Sequence, residues 1–268
     1  MEKIGLLAGV GHLPVECARA AQAMGYEVYA VGLLSGVDPE LPAAVTEYAD
    51  INVAKLGRII DYLKKHGVTK VTAIGKVSKE LLMNGRHELP DWRMVKLLLS
   101  LPDHKDDTLM LTFVAALQKE GIELVDQTLL IRPLMPAAGM LTRRAPSENE
   151  RRDMAFGFRM AKEIGRLDVG QTAVVKGMAV MALEAIEGTD ACIRRGGKLA
   201  RGGAVVVKVA KPEQDRRFDV PAVGVTTVES MIEAGATALA IEAEHTLLVD
   251  RAQTIALAEA HDITIVAM

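Results

Sequence analysis

The sequence predicts an α/β protein with a Rossmann-like N-terminal domain and a mixed α/β C-terminal domain. The first observation is composition, because half of the 268 residues are hydrophobic but only 3% are aromatic. A core of Ala, Val, Leu, Ile and Met suits strands covered by helices better than an aromatic-rich sandwich. The second observation is an alternation of strand-like and helical runs in the first half, and the third is a proline-rich break followed by a hairpin pattern.

The alternation of strand-like and helical runs lies in the first half of the chain. Its predicted strands are KIGLLAG, EVYAVGL and KVTAIGKV, and its predicted helices include residues 14–24 and LGRIIDYLKKH. Further helical stretches, one from Pro90 or Asp91 and another near Asp107, precede the run IELVDQTLL. Short buried strands separated by helices imply a parallel sheet with right-handed crossovers. We therefore predict a Rossmann-like domain over residues 1–132.

A linker is predicted over residues 133–146, because RPLMPAAGMLTRRAP has three prolines in fifteen residues and no clear period. The C-terminal domain, residues 147–268, then opens on a helix whose Ser147 and Glu150 have capping-box spacing. After this helix, QTAVVKGMAVMALEAI is predicted to form two strands, and GGAVVVKVAKP and DITIVAM are predicted to form two more. The mixture of hairpin and helix predicts a mixed sheet.

Charge and cysteine content narrow the class of protein. A formal net charge of -3 gives no general attraction to nucleic acid. Cys17 and Cys192 have no second cysteine nearby, which predicts buried free thiols and excludes a zinc site built on cysteines. The opening MEKIGLLAGVG lacks the features of a signal peptide, and no apolar run approaches the roughly 18 residues of a membrane span. We expect a cytoplasmic protein, at most peripheral at the inner membrane.

The loop AGVGHLP follows the first predicted strand and opens the first predicted helix. Backbone N–H groups at such a place can hold an anion, and Gly9 and Gly11 would let the backbone approach a phosphate to which His12 can donate. Pro14 replaces the third glycine of a dinucleotide fingerprint and no acid ends the second strand, so NAD is disfavoured. The alternative is that the glycines serve a tight turn and His12 is incidental.

A second polar group begins at EGTDACIRRGG, which is predicted to hold Glu187, Thr189 and Asp190 in a glycine-bounded loop at the end of a strand. The basic residues around this loop in the sequence are Lys176, Arg194, Arg195, Lys198, Arg201, Lys208 and Lys211. Taken singly, each predicts ordinary surface charge. Together they can hold a ligand with several phosphate charges.

The stretch KPEQDRRFDVPAVG, residues 211–224, carries the candidate metal ligands. Asp215 and Asp219 lie four residues apart, so a helical turn or an extended segment would direct both to one side. Either geometry allows one divalent ion between them, and hard oxygen ligands suit Mg²⁺ or Mn²⁺. Pro212 and Pro221 bracket the segment and favour a loop. The alternative, the solvated charge of a turn, stays open on these residues alone.

Long motifs of the chain resemble the LpxI family of UDP-2,3-diacylglucosamine pyrophosphatases. They are QTAVVKGMAVMALEAIEGTDACIRR and GGAVVVKVAKPEQDRRFDVPAVG, with AGVGHLP, IGKVSK and KDDTLM in the first half. The resemblance spans nearly the whole chain. It departs mildly at Val10 and His12, and at His104 and Lys105, where a glycine often precedes the acid pair.

The resemblance implies an enzyme of lipid A synthesis that hydrolyses UDP-2,3-diacylglucosamine to UMP and 2,3-diacylglucosamine 1-phosphate (lipid X) with a divalent metal such as Mg²⁺. It implies two domains with the nucleotide-activated lipid substrate in a chamber between them, a homodimer, and transient contact with the inner membrane surface. The essential aspartate of the family belongs to a motif that is formed here by Lys211, Pro212, Gln214, Asp215, Arg217 and Asp219. One sequence leaves open which of the two aspartates it is.

The candidate residues, taken together with the resemblance, predict a mechanism. Mg²⁺ held by Asp215 and Asp219, with Asp190 or Glu187 as further ligands, would bridge the diphosphate and activate a water that attacks the phosphorus on the sugar side. The cations expected to stabilise phosphate charge are Lys176, Lys208, Lys211 and Arg217, of which Lys211 and Arg217 join the aspartates as catalytic residues. The other expected substrate contacts are Gly188 and Thr189 and, at the nucleotide end, Gly9, Gly11, His12 and Lys76.

Three alternatives stay open on the sequence. A non-catalytic nucleotide-sugar-binding regulator would use the same loop and cations, and release of UMP in the presence of Mg²⁺ would exclude it. An NAD-linked oxidoreductase is weakened by Pro14. A lipid carrier predicts that replacing Asp215 or Asp219 by Ala changes nothing.

Overall fold

The computed structural model describes residues 1–75, 89–101, 106–212, 217 and 220–268, without the side chains of Asp106 and Asp107. Among these residues the chain forms two compact units. The first comprises the residues up to Ile131 together with Arg217, and the second comprises the other residues from Arg132 onward. The first unit contains a parallel sheet and the second a mixed sheet, so the predicted α/β class is confirmed.

The first unit has a Rossmann-like sheet. Its described strands are β1 Lys3–Ala8, β2 Glu27–Gly32, β3 Glu47–Asp50, β4 Lys70–Ile74 and β5 Glu123–Leu124. Its described helices are α1 Leu13–Ala23, α2 Leu56–Lys65, α3 Trp92–Leu99, α4 Asp106–Lys119 and α5 Thr128–Ile131. The strand order is β3-β2-β1-β4-β5, and each pair is parallel. The order reverses between β1 and β4, which is where sheets of this kind bind ligands.

Two elements of the first unit differ from the pattern of the sequence. Strand β3 has the sequence EYAD and lies at the edge of the sheet with its ends exposed, so no apolar run marked it. The run IELVDQTLL forms only the short β5, because the side chain of Asp126 accepts a hydrogen bond from the backbone N–H of Thr128, 2.8 Å away, where α5 begins.

The second unit carries the mixed sheet. Its described strands are β6 Gly139–Met140, β7 Thr172–Lys176, β8 Ala179–Leu183, β9 Val205–Lys208, β10 Ala222–Val223, β11 Ala238–Ile241, β12 Leu247–Leu248 and β13 Thr264–Ala267. Its described helices are α6 Glu148–Arg166, α7 Thr189–Ala200, α8 Val225–Ala234 and α9 Arg251–Ala260. The order is β6-β13-β11-β9-β7-β8, with β10 and β12 as a separate parallel pair. Strand β6, within the segment predicted as a linker, pairs antiparallel with β13.

Alternation along the strands gives this sheet two covered faces. Val205 and Val207 on β9 belong to the cluster that α6 covers through Met154. Val206 belongs to the opposite cluster, which holds Ile193 of α7. The sheet therefore lies between helical layers.

The segment predicted as a loop around Thr189 is instead the start of helix α7, and close packing explains its glycine pair. A Cβ atom at Gly196 would lie 2.5 Å from the Cβ of Val174 on β7, and one at Gly197 would lie 2.4 Å from the Cβ of Ala234 on α8. Both distances are too short for any side chain. The glycines allow close helix packing and do not bound a phosphate-binding loop.

Both cysteines are free and buried, as predicted. Burial raises the pKa of Cys17 to about 12 and is the main cause that raises the pKa of Cys192 to about 12. Neither thiol therefore has the thiolate character that reactivity requires.

The start of α6 is fixed by the predicted capping box. Ser147 Oγ accepts from the N–H of Glu150 at 3.2 Å, and Glu150 Oε2 accepts from the N–H of Ser147 at 2.7 Å. Arg144 also donates to both oxygens of Glu150, at 3.0 and 2.9 Å, and to the carbonyls of Thr237 and Asp262, which precede β11 and β13. Arg144, which lies in the segment predicted as a linker, ties α6 to the amino edge of the sheet.

Glu150→Gln should lower the free energy of unfolding by roughly 2 kcal/mol at neutral pH, because it removes the carboxylate to which the half-buried Arg144 donates two hydrogen bonds. Burial would raise the pKa of Glu150, but hydrogen bonds from Arg144 and Ser147 lower it to about 2, below its ordinary value of 4.5. The stabilisation is thus complete above about pH 4.5 and is lost towards pH 2.

Urea unfolding at a series of pH values measures how much Glu150 contributes to the free energy of unfolding. The difference between wild type and Glu150→Gln should shrink as the pH falls through that window. Glu148→Gln is the control, since Glu148 is exposed and pairs with the exposed Arg152. A difference that stays constant down to pH 2.5, or an equal loss in Glu148→Gln, would contradict the assignment.

Candidate active site

Polar side chains of the second unit meet at the carboxyl edge of its sheet. Lys208 at the end of β9 lies opposite Ile241 on the parallel β11, and opposite Thr172, which begins the antiparallel β7. Strand β8 is antiparallel to β7, so Glu184, which follows β8, comes to the same edge. Ligands of α/β sheets bind at such edges, so this edge is the candidate active site.

Lys208 is the centre of a buried network. The residue is only 7% exposed, and its Nζ donates to Thr189 Oγ1 at 3.0 Å and to the carbonyl of Ala222 at 2.8 Å. The hydroxyl of Thr189 donates to Glu184 Oε1 at 3.0 Å. Glu184 is also buried and its Oε2 accepts from the N–H of Gln171 at 3.3 Å. Glu184 thus supplies the opposite charge that a buried ammonium group requires.

The first turn of α7 belongs to the same place. Gly188 precedes the helix with φ +80° and offers no side-chain oxygen to the first helical N–H groups. Thr189, the first residue of α7, touches Lys208. Helical N–H groups beside a lysine form an arrangement that suits a phosphate oxygen.

The structure separates Lys176 from this group. β7 is antiparallel to β9, so Lys176 at the far end of β7 lies roughly 13 Å along the strand from Thr172, at the amino edge. Its Nζ donates to the carbonyls of Ala200 at 2.9 Å and Gly202 at 2.8 Å, where α7 ends. Lys176 therefore stabilises the C-terminus of that helix.

Other predicted cations are paired with carboxylates. Arg194 donates to Glu233 at 2.5 Å. Arg195 donates to Glu187 and to the carbonyl of Leu183, and the bond from Arg195 is the first cause that lowers the pKa of Glu187. The seven basic residues of the sequence pattern therefore do not form one cluster.

The predicted metal ligands are only partly described. No group of three or more His, Cys, Asp and Glu side chains that could hold a metal occurs in the described part of the chain. Asp190 lies in the first turn of α7, and Glu187 is bonded to Arg195. Asp215 and Asp219 lie outside the described residues, as does Lys76.

The residues on either side of that stretch are described. Lys211 is half-buried, and its Nζ donates to Asp168 Oδ1 at 2.7 Å. On the other side, Pro221 accepts a hydrogen bond from the N–H of Leu247 at 2.8 Å, and Ala222 is held by Lys208. Arg217 is half-buried. The stretch from Lys211 to Pro221 is therefore anchored at both ends to the second unit.

The glycine loop of the first unit follows β1 at the point where the strand order reverses. Gly9 donates to the carbonyl of Ile74 at 2.8 Å, and Gly11 has φ +104°. His12 Nδ1 lies 2.8 Å from Asp38 Oδ2. The N–H of Glu40 and then His12 lower the pKa of Asp38 below its ordinary value. Gly9, Gly11 and His12 therefore come together at the carboxyl edge of this sheet.

Sequence reasoning missed four charged residues at these edges: Asp38, Lys162, Glu184 and Glu242. Glu184 and Glu242 each come directly after a strand, β8 and β11 respectively. That position was a usable signal, because side chains at strand ends are the ones presented at a sheet edge. Lys162 and Asp38 carried no such signal.

None of the described helices has the length and apolar character needed to cross a membrane.

Gly75→Ala should destabilise the first unit more than Gly67→Ala. Both glycines have positive φ, +101° and +67°, so each substitution costs about 1 kcal/mol of backbone strain. A Cβ at Gly75 would also lie 2.8 Å from the carbonyl carbon of Gly9, whereas nothing lies within 4 Å at Gly67. We expect roughly 2 kcal/mol of additional loss at Gly75 in denaturant unfolding. Equal losses would show that the β1 and β4 loops do not pack this closely.

Comparison with known proteins identifies similar chains along the whole length. The profile of the LpxI N-terminal domain matches residues 3–134, and that of the LpxI C-terminal domain matches residues 137–266. The UDP-2,3-diacylglucosamine pyrophosphatase LpxI of Caulobacter vibrioides is 35% identical over 270 residues, which cover 97% of this chain and 95% of that protein.

Solved structures give weaker likenesses. UDP-glucose-4-epimerase of Stenotrophomonas maltophila, with bound NAD and formylated UDP-arabinopyranose, is 12% identical, with a TM-score of 0.31, over 46% of this chain and 35% of that one. WbmG of Bordetella bronchiseptica, in complex with NAD and UDP, is 15% identical, with a TM-score of 0.29, over 44% of this chain and 34% of that one. At these scores neither likeness supports an inference about function.

Proposed function

This chain belongs to the LpxI family, and we propose that it hydrolyses UDP-2,3-diacylglucosamine to UMP and 2,3-diacylglucosamine 1-phosphate in lipid A biosynthesis. The observation that carries the proposal is the 35% identity to a pyrophosphatase of that name across 97% of this chain. The similarity covers both domains and 95% of that pyrophosphatase, so nearly all of its chain has a counterpart here. The alternative of a non-catalytic nucleotide-sugar-binding regulator is not favoured.

We propose that the cluster of Lys208, Thr189 and Glu184 binds a phosphate of the substrate. Lys208 supplies the positive charge, and Gly188 and Thr189 open a helix whose N–H groups can donate to phosphate oxygen. Lys211 and Arg217, in the adjoining stretch, would stabilise charge as the bond breaks. Burial of Lys208 supports this role, because a shielded cation interacts more strongly with a phosphate than an exposed one.

We propose that Asp215 and Asp219 bind a divalent cation, Mg²⁺ or Mn²⁺, which when bound would neutralise phosphate charge and favour ionisation of water. Asp190 is the further candidate ligand from α7. A water oxygen would form the new bond to the phosphorus on the sugar side, and the bond from that phosphorus to the bridging oxygen would break. UMP would then leave with the bridging oxygen, and the proton lost by the water would pass to solvent.

We propose that Gly9, Gly11, His12 and Lys76 contact the nucleotide end of the substrate. The first three meet where the strand order reverses, which supports an anion contact there. A homodimer and transient contact with the inner membrane surface, both implied by the family resemblance, stay predictions. Sedimentation of the purified protein and flotation with anionic vesicles would test them.

The purified protein with UDP-2,3-diacylglucosamine and Mg²⁺ should release UMP, and excess chelator should abolish the release until Mg²⁺ is restored. Asp215→Ala and Asp219→Ala should each be tested, and at least one should lose a factor of 10³ or more in kcat with the fold retained. Asp61→Ala, on the exposed side of α2, is the control and should keep wild-type activity. Product analysis by mass spectrometry measures the outcome.

Several outcomes would contradict the proposal. Release of UDP would mean that the wrong bond is cleaved, and retention of intact substrate would favour a binding protein. Activity that survives chelation would overturn the metal proposal alone. Wild-type activity in both aspartate variants would favour a different site.

Lys208→Met should reduce kcat/KM by about 100-fold, because it removes the shielded cation from the site. Lys176→Met should change kcat/KM by less than about threefold and lower the free energy of unfolding by about 1 kcal/mol, because Lys176 binds the carbonyls that end α7. Steady-state kinetics and urea unfolding of the two variants measure this. Equal losses of kcat/KM in the two variants would contradict the proposal that the phosphate binds at the carboxyl edge of the sheet.

A further inference from the structure

We infer that the ion pair of Lys162 and Glu242 is a positioning device for the reaction, which fixes the backbone where the chain leaves β9 for the stretch that begins at Lys211. The inference rests on the proposed function, since it concerns how the predicted catalytic stretch is held. Neither residue lies in the motifs that the sequence singled out.

The pair holds both backbone groups of a single residue. Nζ of Lys162, on α6, lies 2.7 and 2.6 Å from the two carboxylate oxygens of Glu242, which follows β11. Nζ also donates to the carbonyl of Ala210 at 2.9 Å. Glu242 Oε2 accepts from the N–H of Ala210 at 2.8 Å. All three donors of the ammonium group are thereby used, and Ala210 is bound from both sides.

These contacts continue the hydrogen-bond ladder of the sheet beyond the end of β9. The carbonyl of Lys208 accepts from the N–H of Glu242 at 3.2 Å, and the N–H of Val209 donates to the carbonyl of Gln171 at 3.0 Å. At Ala210 the hydrogen bonds come from the side chains of Lys162 and Glu242, whereas within β9 they come from the backbone of neighbouring strands. The chain therefore stays fixed for two residues past the strand.

Two further contacts from the end of α6 hold the next residue. A Cβ at Gly165 would lie only 3.3 Å from the Cα of Lys211, so helix and backbone touch there. Asp168, after α6, accepts from Lys211 Nζ at 2.7 Å. The ion pair is thus part of a set of contacts directed at Ala210 and Lys211.

Stability alone is a poor reason for such a pair. The side chains are 29% and 14% exposed, and a pair shielded to this degree commonly adds little stability over apolar residues of similar volume. What apolar residues cannot supply is a donor and an acceptor aimed at one peptide unit. Orientation of the backbone is therefore the property that the pair provides.

The experiment compares Glu242→Gln with Glu150→Gln, which changes a matched ion pair at the opposite edge. Each glutamate accepts two hydrogen bonds from one cation and a further one from a backbone N–H. We expect similar losses of unfolding free energy, but a loss of at least tenfold in kcat only for Glu242→Gln, with KM changed less than threefold.

The double variant Lys162→Met with Glu242→Leu separates positioning from folding. Removing both charges together should restore most of the stability that Glu242→Gln loses, because no unpaired ion remains. It cannot restore the hold on Ala210, so kcat should stay at least tenfold below wild type. Recovery of kcat together with stability, or an equal loss of kcat in Glu150→Gln, would overturn the inference.

Amide hydrogen exchange gives a readout that does not depend on catalysis. The amide of Ala210 should exchange at least tenfold faster in the double variant than in wild type, while the amide of Val207 in β9 should be unchanged. Unchanged exchange at Ala210 would also overturn the inference. Failure of the wild-type protein to release UMP would instead count against the proposed function, whatever the exchange rates.

Discussion

The parallel pairing of β9 with β11 is the constraint on which the chemistry of the second unit depends. It places Lys208 opposite Ile241, so that Glu242 follows at the same edge. The antiparallel β7 then begins opposite Lys208, and β8 returns Glu184 to that edge. Strand direction therefore decides which charged residues can interact, and a reversal of β9 would disperse them over both edges.

Each lysine at this edge is linked to a carboxylate and is held in one orientation by its hydrogen bonds. Lys208 is linked to Glu184 through the hydroxyl of Thr189, and Lys162 is bonded to Glu242. In both cases the lysine also binds a backbone carbonyl, of Ala222 or Ala210. Those two carbonyls lie on either side of the stretch that contains the two aspartates. The edge therefore combines charge with a fixed backbone, which is the condition for preorganised binding of a phosphate.

The first unit also holds polar groups in place at the carboxyl edge of its sheet, but these groups are backbone amides and a histidine. Its loops meet at the reversal of strand order, where Gly75 approaches the backbone of Gly9 too closely for a side chain. Asp38 holds His12 beside that loop. Backbone N–H groups and one oriented histidine thus lie at the carboxyl edge of the first sheet, as lysines lie at that of the second.

The sequence by itself determined the α/β class, the capping box at Ser147, the hairpin of β7 and β8, and the family, because these follow from periodicity, short-range spacing and long motifs. It could not determine which polar residues meet. Lys176 and Lys208 both end valine-rich strands and looked equivalent, but opposite strand directions send them to opposite edges. The glycines after Thr189 suggested a loop, and only contact with Val174 and Ala234 shows that they serve helix packing. Glu242 and Lys162 matter through partners distant in sequence, and such partners are set by tertiary contacts, which local patterns do not encode.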